Sequence, residues 1–445
     1  MFKKLVSAIL IIALALSLCA CGGAYDYTYG PVSGGASASD PVVNNGRFIV
    51  QKGNYLYYIN SFALVNANNE FGEVIEGALM RSDLDGKNIT TILPKLIANT
   101  SATGLYIIGD RIYFTSPCDE VNAQGVVQSN YLDLLSVKLD GTDCVKHATI
   151  GSTAYPVYFM EENGSPYAVY VAHEIMYSIK LDADKPKSEV LSKNYTGFAF
   201  CENGFYVSEY EYVSGSEELY DRYTVVSHLS PSGKREQLFT GKVSEDEKYL
   251  YIVVDYLEGK LFYEKRDIIV SLEDSFCYRD VKGTTASAET RLFVNCPTSF
   301  LLTSYPTDGV LATHSSLGLV FADFNGNLKQ IKSSTVDSML NVVGDKLFYY
   351  TQSNALYSVY YYDLDELLED SSITAKQFLS MGEVDGKETF DTIQSQNFAY
   401  FSVINGEYYY YSGSQELDWY LWKYNAESGE FTCMSKIAPV SEKAE

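Results

Sequence analysis

Short apolar runs rich in tyrosine alternate with polar turns along most of this chain. The clearest unit is a strand-like run over Asn54–Asn60, followed by a second run, Ala78–Asn88, that contains an Asp-Gly turn. The same order recurs in Asp110–Thr115 followed by Leu134–Gly141. A repeat of roughly 40 to 50 residues with about four strands is typical of a β-propeller. The pattern therefore predicts an all-β fold, a single β-propeller of four-stranded blades.

Turn signals set the predicted number of blades. Clusters of acidic, Asn, Ser or Gly residues, which tight hairpins favour, fall between the third and fourth strands of each unit. They lie near residues 85, 140, 183, 232, 273, 325, 364 and 427. These turns favour eight blades, with seven as the alternative if an irregular unit such as blade 5 is an insertion. In blade 5 the apolar pattern predicts strands over Tyr249–Val254, Lys260–Tyr263 and Asp267–Leu272.

The first residues have the pattern of an export signal. Met1–Lys4 is basic and Leu5–Ala20 is an apolar run, as in a secretory signal peptide. The sequence Leu18-Cys-Ala-Cys21 resembles the lipobox of bacterial lipoproteins, and this resemblance implies a lipid on Cys21. An ordinary signal peptide with incidental cysteines is the alternative. The predicted divisions are a lipoprotein signal peptide over 1–20, a Gly- and Ser-rich flexible tether over 21–46, the propeller over 47–438 and a disordered tail over 439–445.

Blades 1 and 2 also resemble a known family. The run Tyr55–Asn60, the hairpin Leu79–Asn88 and Ile89–Leu93 are similar to the YWTD-type propeller of low-density-lipoprotein receptors. They are more similar to uncharacterised bacterial lipoproteins with the same tandem repeat. The Trp-Thr-Asp tripeptide is missing, because Tyr57–Asn60 and Tyr113–Ser116 stand in its place. The resemblance therefore implies a shared architecture and not receptor-type partners.

The net charge of the chain limits the classes of partner that we expect it to bind. There are 57 acidic and 33 basic residues, for a formal net charge of −24. Such a chain repels nucleic acid and anionic lipid on average, so we expect neither as a ligand. With the lipidated cysteine, the sequence predicts a protein held on the extracytoplasmic side of a bacterial cell membrane by its lipid anchor.

Motifs for catalysis or metal binding are sparse. The four histidines fall in four different units without an evident partner, and neither a nucleophile elbow nor a phosphate-binding Gly loop occurs. Asp83–Gly86 and Asp323–Gly326 lack the distal Glu of a calcium loop. We therefore expect no metal and no cofactor. Paired carboxylates for glycoside chemistry stay open, because such pairs are formed in space and not along the chain.

The cysteines of the predicted propeller leave two alternatives. Export permits disulfides, and the pairs to test are Cys118 with Cys144 and Cys277 with Cys296. Buried free thiols are the other alternative, for these four and for Cys201 and Cys433.

The predicted loops between second and third strands differ in charge from the rest of the chain. The loops 61–76, 116–130, 213–221 and 412–418 hold ten acidic residues and no Lys or Arg. Carboxylates beside aromatic rings suit a sugar or a cationic protein surface. Closure of the ring would bring three of these loops, from blades 8, 1 and 2, to one face. The candidate ligand-binding residues are Glu70, Phe71, Glu73, Glu76, Asp119, Glu120, Tyr131, Glu416, Asp418 and Trp419.

The sequence thus favours a binding or interaction module for a protein, peptide or glycan partner over an enzyme. One alternative is a carbohydrate-active enzyme with a carboxylate site in the central channel. Another alternative is a structural component of an envelope assembly, which would present a large apolar patch.

Overall fold

The structure is a computed structural model of the chain. It describes residues 32–62, 77–93, 104–118, 131–151, 153, 156–213, 221–244, 248–267, 274–294, 299–301, 309–314, 317–332, 341–353, 356–378, 382–384, 387–389, 401–412, 419–425 and 428–435. The predicted signal peptide and Cys21 lie outside these residues. So do most of the four acidic loops.

Strands dominate the described residues. They are β1 (Val42–Val43), β2 (Ile49–Lys52), β3 (Tyr55–Ile59), β4 (Ser61–Phe62), β5 (Leu79–Asp83), β6 (Thr90–Leu93), β7 (Tyr106–Ile108), β8 (Arg111–Pro117), β9 (Tyr131–Lys138), β10 (Val145–Gly151), β11 (Tyr158–Glu162), β12 (Ser165–Ala172), β13 (Ile175–Lys180), β14 (Ser188–Ser192), β15 (Tyr195–Cys201), β16 (Gly204–Tyr212), β17 (Arg222–Leu229), β18 (Arg235–Thr240), β19 (Tyr249–Leu257), β20 (Lys260–Asp267), β21 (Asp274–Lys282), β22 (Thr285–Ala286), β23 (Thr290–Val294), β24 (Ser299–Leu301), β25 (Gly309–His314), β26 (Gly318–Asp323), β27 (Leu328–Lys332), β28 (Asn341–Val343), β29 (Lys346–Ser353), β30 (Leu356–Asp363), β31 (Lys376–Gln377), β32 (Gly382–Val384), β33 (Lys387–Thr389), β34 (Phe401–Ile404), β35 (Glu407–Ser412), β36 (Trp419–Asn425) and β37 (Phe431–Cys433). One short helix, α1 (Leu364–Glu369), follows β30 within the described part of the chain. No helix there is long and apolar enough to cross a membrane.

The strands form antiparallel sheets of successive neighbours. Blade 1 holds β1, β2, β3, β5 and β6, blade 2 β7 to β10, blade 3 β11 to β14, blade 4 β15 to β18, blade 5 β19 to β23, blade 6 β24 to β27, blade 7 β28 to β31 and blade 8 β34 to β37. The hairpin β32–β33 lies between blades 7 and 8 in the chain. The prediction of an all-β propeller with eight blades is confirmed.

Blade 5 is a complete blade, but its predicted third strand is wrong. The second strand, β20, continues to Asp267, and the third strand is β21, Asp274–Lys282. The turn expected near residue 273 follows β21 instead, at Gly283, which has a φ of 63°.

The predicted hairpins between third and fourth strands recur with one geometry. In blades 1, 2, 4 and 6 a glycine N–H donates to the carbonyl three residues earlier, for example Gly141 to Lys138 at 2.8 Å. These glycines have φ values between 80° and 89°, a region that glycine enters without steric cost. They are Gly86, Gly141, Gly233 and Gly326. The Asp-Gly signal in the sequence therefore identifies real turns.

The fourth strands share a second regular feature. In blades 1 to 6 the pairing with the third strand shifts by one residue, which leaves one side chain outside the register, as in a β-bulge. The bulged residues are Ile92, His147, Leu191, Leu238, Leu292 and Ile331. Five of these six residues are aliphatic. Blade 2 alone among the six carries a polar residue at this position.

The described residues group into two compact units. Blades 1 and 2 with residues 181–186 form one unit, and the remainder of blades 3 to 8 forms the other. Within the second unit neighbouring blades share their cores: Met160 and Met176 of blade 3 pack with Phe205 and Leu229 of blade 4. Burial of apolar surface between blades stabilises the fold in place of a single central core.

The second half of the predicted tether lies against blades 1 and 2. The Arg81 guanidinium donates to the carbonyls of Ser33 and Gly34, and the buried Lys52 ammonium donates to those of Ala38 and Asp40. We call residues 32–43 the N-terminal strap. Two buried cations therefore hold the strap by its backbone, and β1 adds it to the sheet of blade 1.

Candidate functional site

Only two of the predicted ligand-binding residues fall in the described part of the chain. Tyr131 begins β9 and is 44% exposed, and Trp419 begins β36. The other eight, Glu70, Phe71, Glu73, Glu76, Asp119, Glu120, Glu416 and Asp418, lie outside the described residues. Their convergence on one face therefore stays a prediction.

Blade 2 contains a serine and a histidine in direct contact. Ser136 lies on β9 and is fully buried, and the partly buried His147 is the bulged residue of β10. Their Oγ and Nε2 atoms are 2.8 Å apart. The other ring nitrogen of His147, Nδ1, lies 3.0 Å from the carbonyl oxygen of Leu181, in the turn after β13. Ser136 pairs with Val145, two residues before His147, so the serine and the imidazole belong to neighbouring positions of the two paired strands.

The hydrogen bonds define the protonation of this pair. A carbonyl only accepts, so Nδ1 of His147 carries a hydrogen and donates to Leu181. Burial lowers the pKa of His147, an effect that the bond to Leu181 opposes and the nearby Arg111 charge reinforces. The ring is therefore neutral near pH 7, and its Nε2 is an acceptor. Ser136 consequently donates its hydroxyl hydrogen to His147.

A cation completes the surroundings of the serine. The Nε group of Arg111 donates to the Ser136 oxygen over 2.9 Å. The same guanidinium donates to the carboxylate of Asp143 at 2.7 Å, and this bond lowers the pKa of Asp143. The serine oxygen thus has a base on its hydrogen and a fixed positive charge beside it. The imidazole can take up the hydroxyl hydrogen, and the guanidinium stabilises negative charge on the oxygen.

Blade 3 has the same serine without the histidine. Ser178 pairs with Glu189, two residues before the bulge at Leu191, as Ser136 pairs with Val145 two residues before His147. It is 3% exposed, and its hydroxyl donates to the carbonyl of Pro231 at 2.6 Å. Position and burial are therefore matched between the two serines, and only Ser136 has a base.

A cavity of about 320 Å³ lies at the end of β9. Its lining comes from the N-terminal strap and from the turn between β9 and β10, and includes Lys138 and Asp140. Lys138 is two residues from Ser136 along the strand, and its ammonium lies 3.7 Å from the carboxylate of Asp143. The cavity is therefore near the polar cluster around Arg111.

The carboxyl groups with a clearly shifted pKa do not have the properties of a glycosidase acid. Such an acid needs a raised pKa to be protonated at neutral pH. Several carboxyl groups depart from their ordinary pKa, and in each of these hydrogen-bond donors outweigh burial and lower the value. They are Asp140, Asp143, Glu236, Asp323, Asp363 and Asp370.

The described histidines, carboxylates and cysteines form neither a metal-binding cluster nor the disulfide between Cys118 and Cys144. Within the described ranges, no three His, Cys, Asp or Glu side chains lie close enough together to hold a metal ion. Cys118 and Cys144 are not joined by a disulfide. Burial raises the pKa of Cys201 to about 11 and that of Cys277 to about 12, so both are protonated thiols. Cys296 lies outside the described residues.

Solved structures of other proteins have a fold similar to that of this chain. No protein-family model and no curated protein matches the chain. A puromycin hydrolase gives a TM-score of 0.44 at 9% identity, over 77% of this chain and 55% of that one. A puromycin-hydrolyzing peptidase of Mycobacterium tuberculosis gives 0.40 at 10% identity, over 76% and 53%. The β-propeller domain of the Trilobed protease from Pyrococcus furiosus gives 0.37 at 10% identity, over 86% and 95%. The chain spans about half the length of the two puromycin-cleaving proteins.

Two expectations from the sequence are corrected here. The sequence favoured a binding module without enzyme activity, and this interpretation is contradicted: the solved structures similar to the chain, at about 10% identity, are mostly peptidases that contain propellers. The histidines were expected to have no close partner, and this is wrong for His147. No short motif signals the Ser136–His147 contact, because the two residues belong to different strands.

Proposed function

We propose that the chain is an exported hydrolase in which Ser136 is the nucleophile and His147 the general base, acting on an ester or amide bond. The observation that carries the proposal is the 2.8 Å contact between Ser136 Oγ and His147 Nε2. A neutral imidazole that is oriented through its other nitrogen is the arrangement that activates a serine hydroxyl.

The repeat supports this assignment of His147. Ile92, Leu191, Leu238, Leu292 and Ile331 are the bulged residues of the five other blades in which the structure shows this bulge. Burying an imidazole where an aliphatic side chain suffices costs free energy unless its nitrogens are bonded. Departures from a locally consistent pattern are expected at functional sites.

The steps follow from the hydrogen-bond directions. Ser136 Oγ adds to the substrate carbonyl carbon while its hydrogen passes to Nε2 of His147. The imidazolium then gives this hydrogen to the leaving amine or alkoxide, and an acyl group remains on Ser136. Water attacks the acyl carbon with His147 again as base, which releases the acid and restores the serine. Arg111 stabilises the negative charge that develops beside Ser136.

Substrate access needs a local opening, because Ser136 is fully buried. The turn that carries Leu181 contacts the imidazole and is the element whose displacement would uncover it. The cavity of about 320 Å³ at the end of β9 is the candidate space for the acyl group.

A fluorophosphonate probe tests the nucleophile directly, since it labels only activated serines. We expect labelling of the full chain, loss of labelling in Ser136→Ala, and unchanged labelling in the matched control Ser178→Ala. Labelled peptides identified by mass spectrometry should contain Ser136. Equal labelling of the wild type and Ser136→Ala, or no labelling of either, would leave the contact as a link between strands and contradict a serine hydrolase.

We further propose that the protein is lipid-anchored through Cys21 on the extracytoplasmic face of a bacterial membrane, as a lipoprotein related to YWTD-type propellers. The lipobox-like Leu18–Cys21 and the basic start support this assignment. Cys21→Ser should release the protein from the membrane fraction or stop its maturation. Cys19→Ser is the matched control and should remain membrane-bound. Normal retention of the Cys21 variant would contradict the anchor.

A further inference from the structure

A second polar cavity lies in blade 4, at its side toward β14 of blade 3. It has a volume of about 310 Å³ and is lined by residues of β14, β16, β17 and β18 and of the connection between β14 and β15. This volume is at the lower end of the range for small-molecule pockets, about 300–1,000 Å³. The cavity therefore suits a small metabolite and is too small for a folded partner.

One polar group in the cavity wall has no partner. Ser227 of β17 is 1% exposed, and its hydroxyl makes no hydrogen bond within the described residues. Buried hydroxyls are almost always bonded in folded proteins. An orphan hydroxyl in the wall of a cavity is therefore placed to bond a molecule inside it.

The charged side chains of the cavity are balanced in sign, and two of them, Arg235 and Glu209, hold each other in place. The Arg235 guanidinium makes two bonds to the Glu209 carboxylate, from Nε to Oε2 at 2.9 Å and from Nη2 to Oε1 at 3.0 Å. The Ser192 hydroxyl also donates to Glu209 Oε1, at 2.6 Å. Lys193 and Glu211 are further lining residues. The cavity thus contains two positive and two negative side chains. Val190, Leu191 and Val225 provide an apolar part of the wall.

We propose that this cavity binds a free α-amino acid with an apolar side chain. A zwitterion matches a wall with both charge signs, since its carboxylate is attracted to Arg235 and Lys193 and its ammonium to Glu209 and Glu211. Ser227 bonds one of the two charged groups, and the apolar side chain packs on Val190 and Val225. This site uses none of the residues of blade 2, so it does not rest on the hydrolase assignment.

Isothermal titration of the full chain with leucine is the test, with thermal melting as the second measurement. Leucine should bind and raise the melting temperature. Leucinol, which lacks the carboxylate, and N-acetylleucine, which lacks the ammonium, should bind at least tenfold more weakly, because each lacks one of the two charged groups that the cavity wall attracts. Equal binding of all three compounds, or no binding of leucine at millimolar concentration, would overturn the proposal.

Ser227→Ala distinguishes a ligand group from a structural one. Because its hydroxyl has no hydrogen-bond partner in the part of the chain that the structure describes, the variant should melt at the same or a higher temperature without ligand, and it should bind leucine about three- to tenfold more weakly. Ser208→Ala is the matched control in the same blade, since the buried Ser208 oxygen accepts from the backbone N–H of Val253 at 3.0 Å. It should melt at a lower temperature with unchanged affinity for leucine. A lower melting temperature and unchanged leucine affinity for Ser227→Ala would overturn the proposal.

Discussion

Blades 2 and 3 are built alike and differ in the use of one buried serine. Each third strand carries a serine that pairs with the fourth-strand residue two positions before the bulge, Ser136 in blade 2 and Ser178 in blade 3. The Ser178 hydroxyl bonds a backbone carbonyl, which fixes it and leaves it chemically inert. The Ser136 hydroxyl bonds an imidazole, which is a base. A single exchange of Leu for His at the bulge therefore changes a packing position into a candidate reaction centre.

The largest expected effect comes from making blade 2 like blade 3. His147→Leu removes the base, so the rate of fluorophosphonate labelling should fall by about 10² to 10⁴, the usual contribution of general base catalysis. The control His228→Leu removes another partly buried histidine and should label normally. Labelling rates are measured by gel fluorescence over time. An unchanged rate in His147→Leu would remove the functional difference between the blades.

Removal of each hydroxyl compares the two serines as structural elements. Ser136→Ala leaves both His147 Nε2 and Arg111 Nε without this partner, and Ser178→Ala leaves only the carbonyl of Pro231. Each change should lower the free energy of unfolding by about 1–3 kcal/mol, with the larger loss for Ser136→Ala. Urea unfolding monitored by tyrosine fluorescence gives both values. A larger loss in Ser178→Ala would contradict this account of the polar cluster.

Acid should destabilise the folded protein through His147. Burial lowers the pKa of this histidine in the folded protein. The unfolded chain, with a histidine pKa of about 6.5, then binds a proton more readily than the folded chain. The free energy of unfolding should therefore fall as the pH drops below about 6.5, until the pH reaches the folded pKa of His147. His228 contributes in the same direction. Unfolding curves between pH 5 and pH 8 should show a shallower decline in His147→Leu than in the wild type, and parallel declines would argue against a buried neutral imidazole.

The smallest effect is expected at the edge of the cluster. The Asp143 side chain is 50% exposed, so water and salt screen its ion pair with Arg111. Asp143→Asn should cost less than about 1 kcal/mol of unfolding free energy. The difference from the wild type should shrink further in 1 M salt. A loss as large as that of Ser136→Ala would show that the exposed pair, and not the buried contact, holds the cluster together.

The sequence predicts the fold well at positions where the conformation depends on neighbouring residues in the chain. Gly86, Gly141, Gly233 and Gly326 adopt the positive φ that a tight hairpin needs, so the turn signals give the register of four blades. Blade 5 fails for a local reason too: the apolar Ile268–Val270 is the stronger strand signal by residue type. The observed third strand, β21, carries Arg279 and Asp280, and Arg279 donates to Tyr263 of the neighbouring strand.

The candidate sites could not be predicted in the same way. The Ser136–His147 contact joins side chains of two different strands, so it depends on the register in which β9 and β10 pair, and that register includes a one-residue bulge at His147. The Ser227 hydroxyl is notable because no described group near it offers a hydrogen bond, and the type of a residue does not predict this. The acidic loops gave a strong composition signal, and composition reports solvent exposure as readily as it reports a binding surface.

If the chain is anchored through Cys21 as proposed, the N-terminal strap limits its distance from the bilayer. Its first described residue, Val32, donates its N–H to the carbonyl of Asp140 at 3.0 Å, on the turn between β9 and β10. If Cys21 carries the lipid, only residues 21–31 separate the membrane surface from this turn. Even at full extension, about 3.3–3.6 Å per residue, they span no more than about 40 Å. The strap and the short segment before it would then keep blade 2 and Ser136 within about one protein diameter of the lipid. Substrates would be taken from the layer of solution next to the membrane.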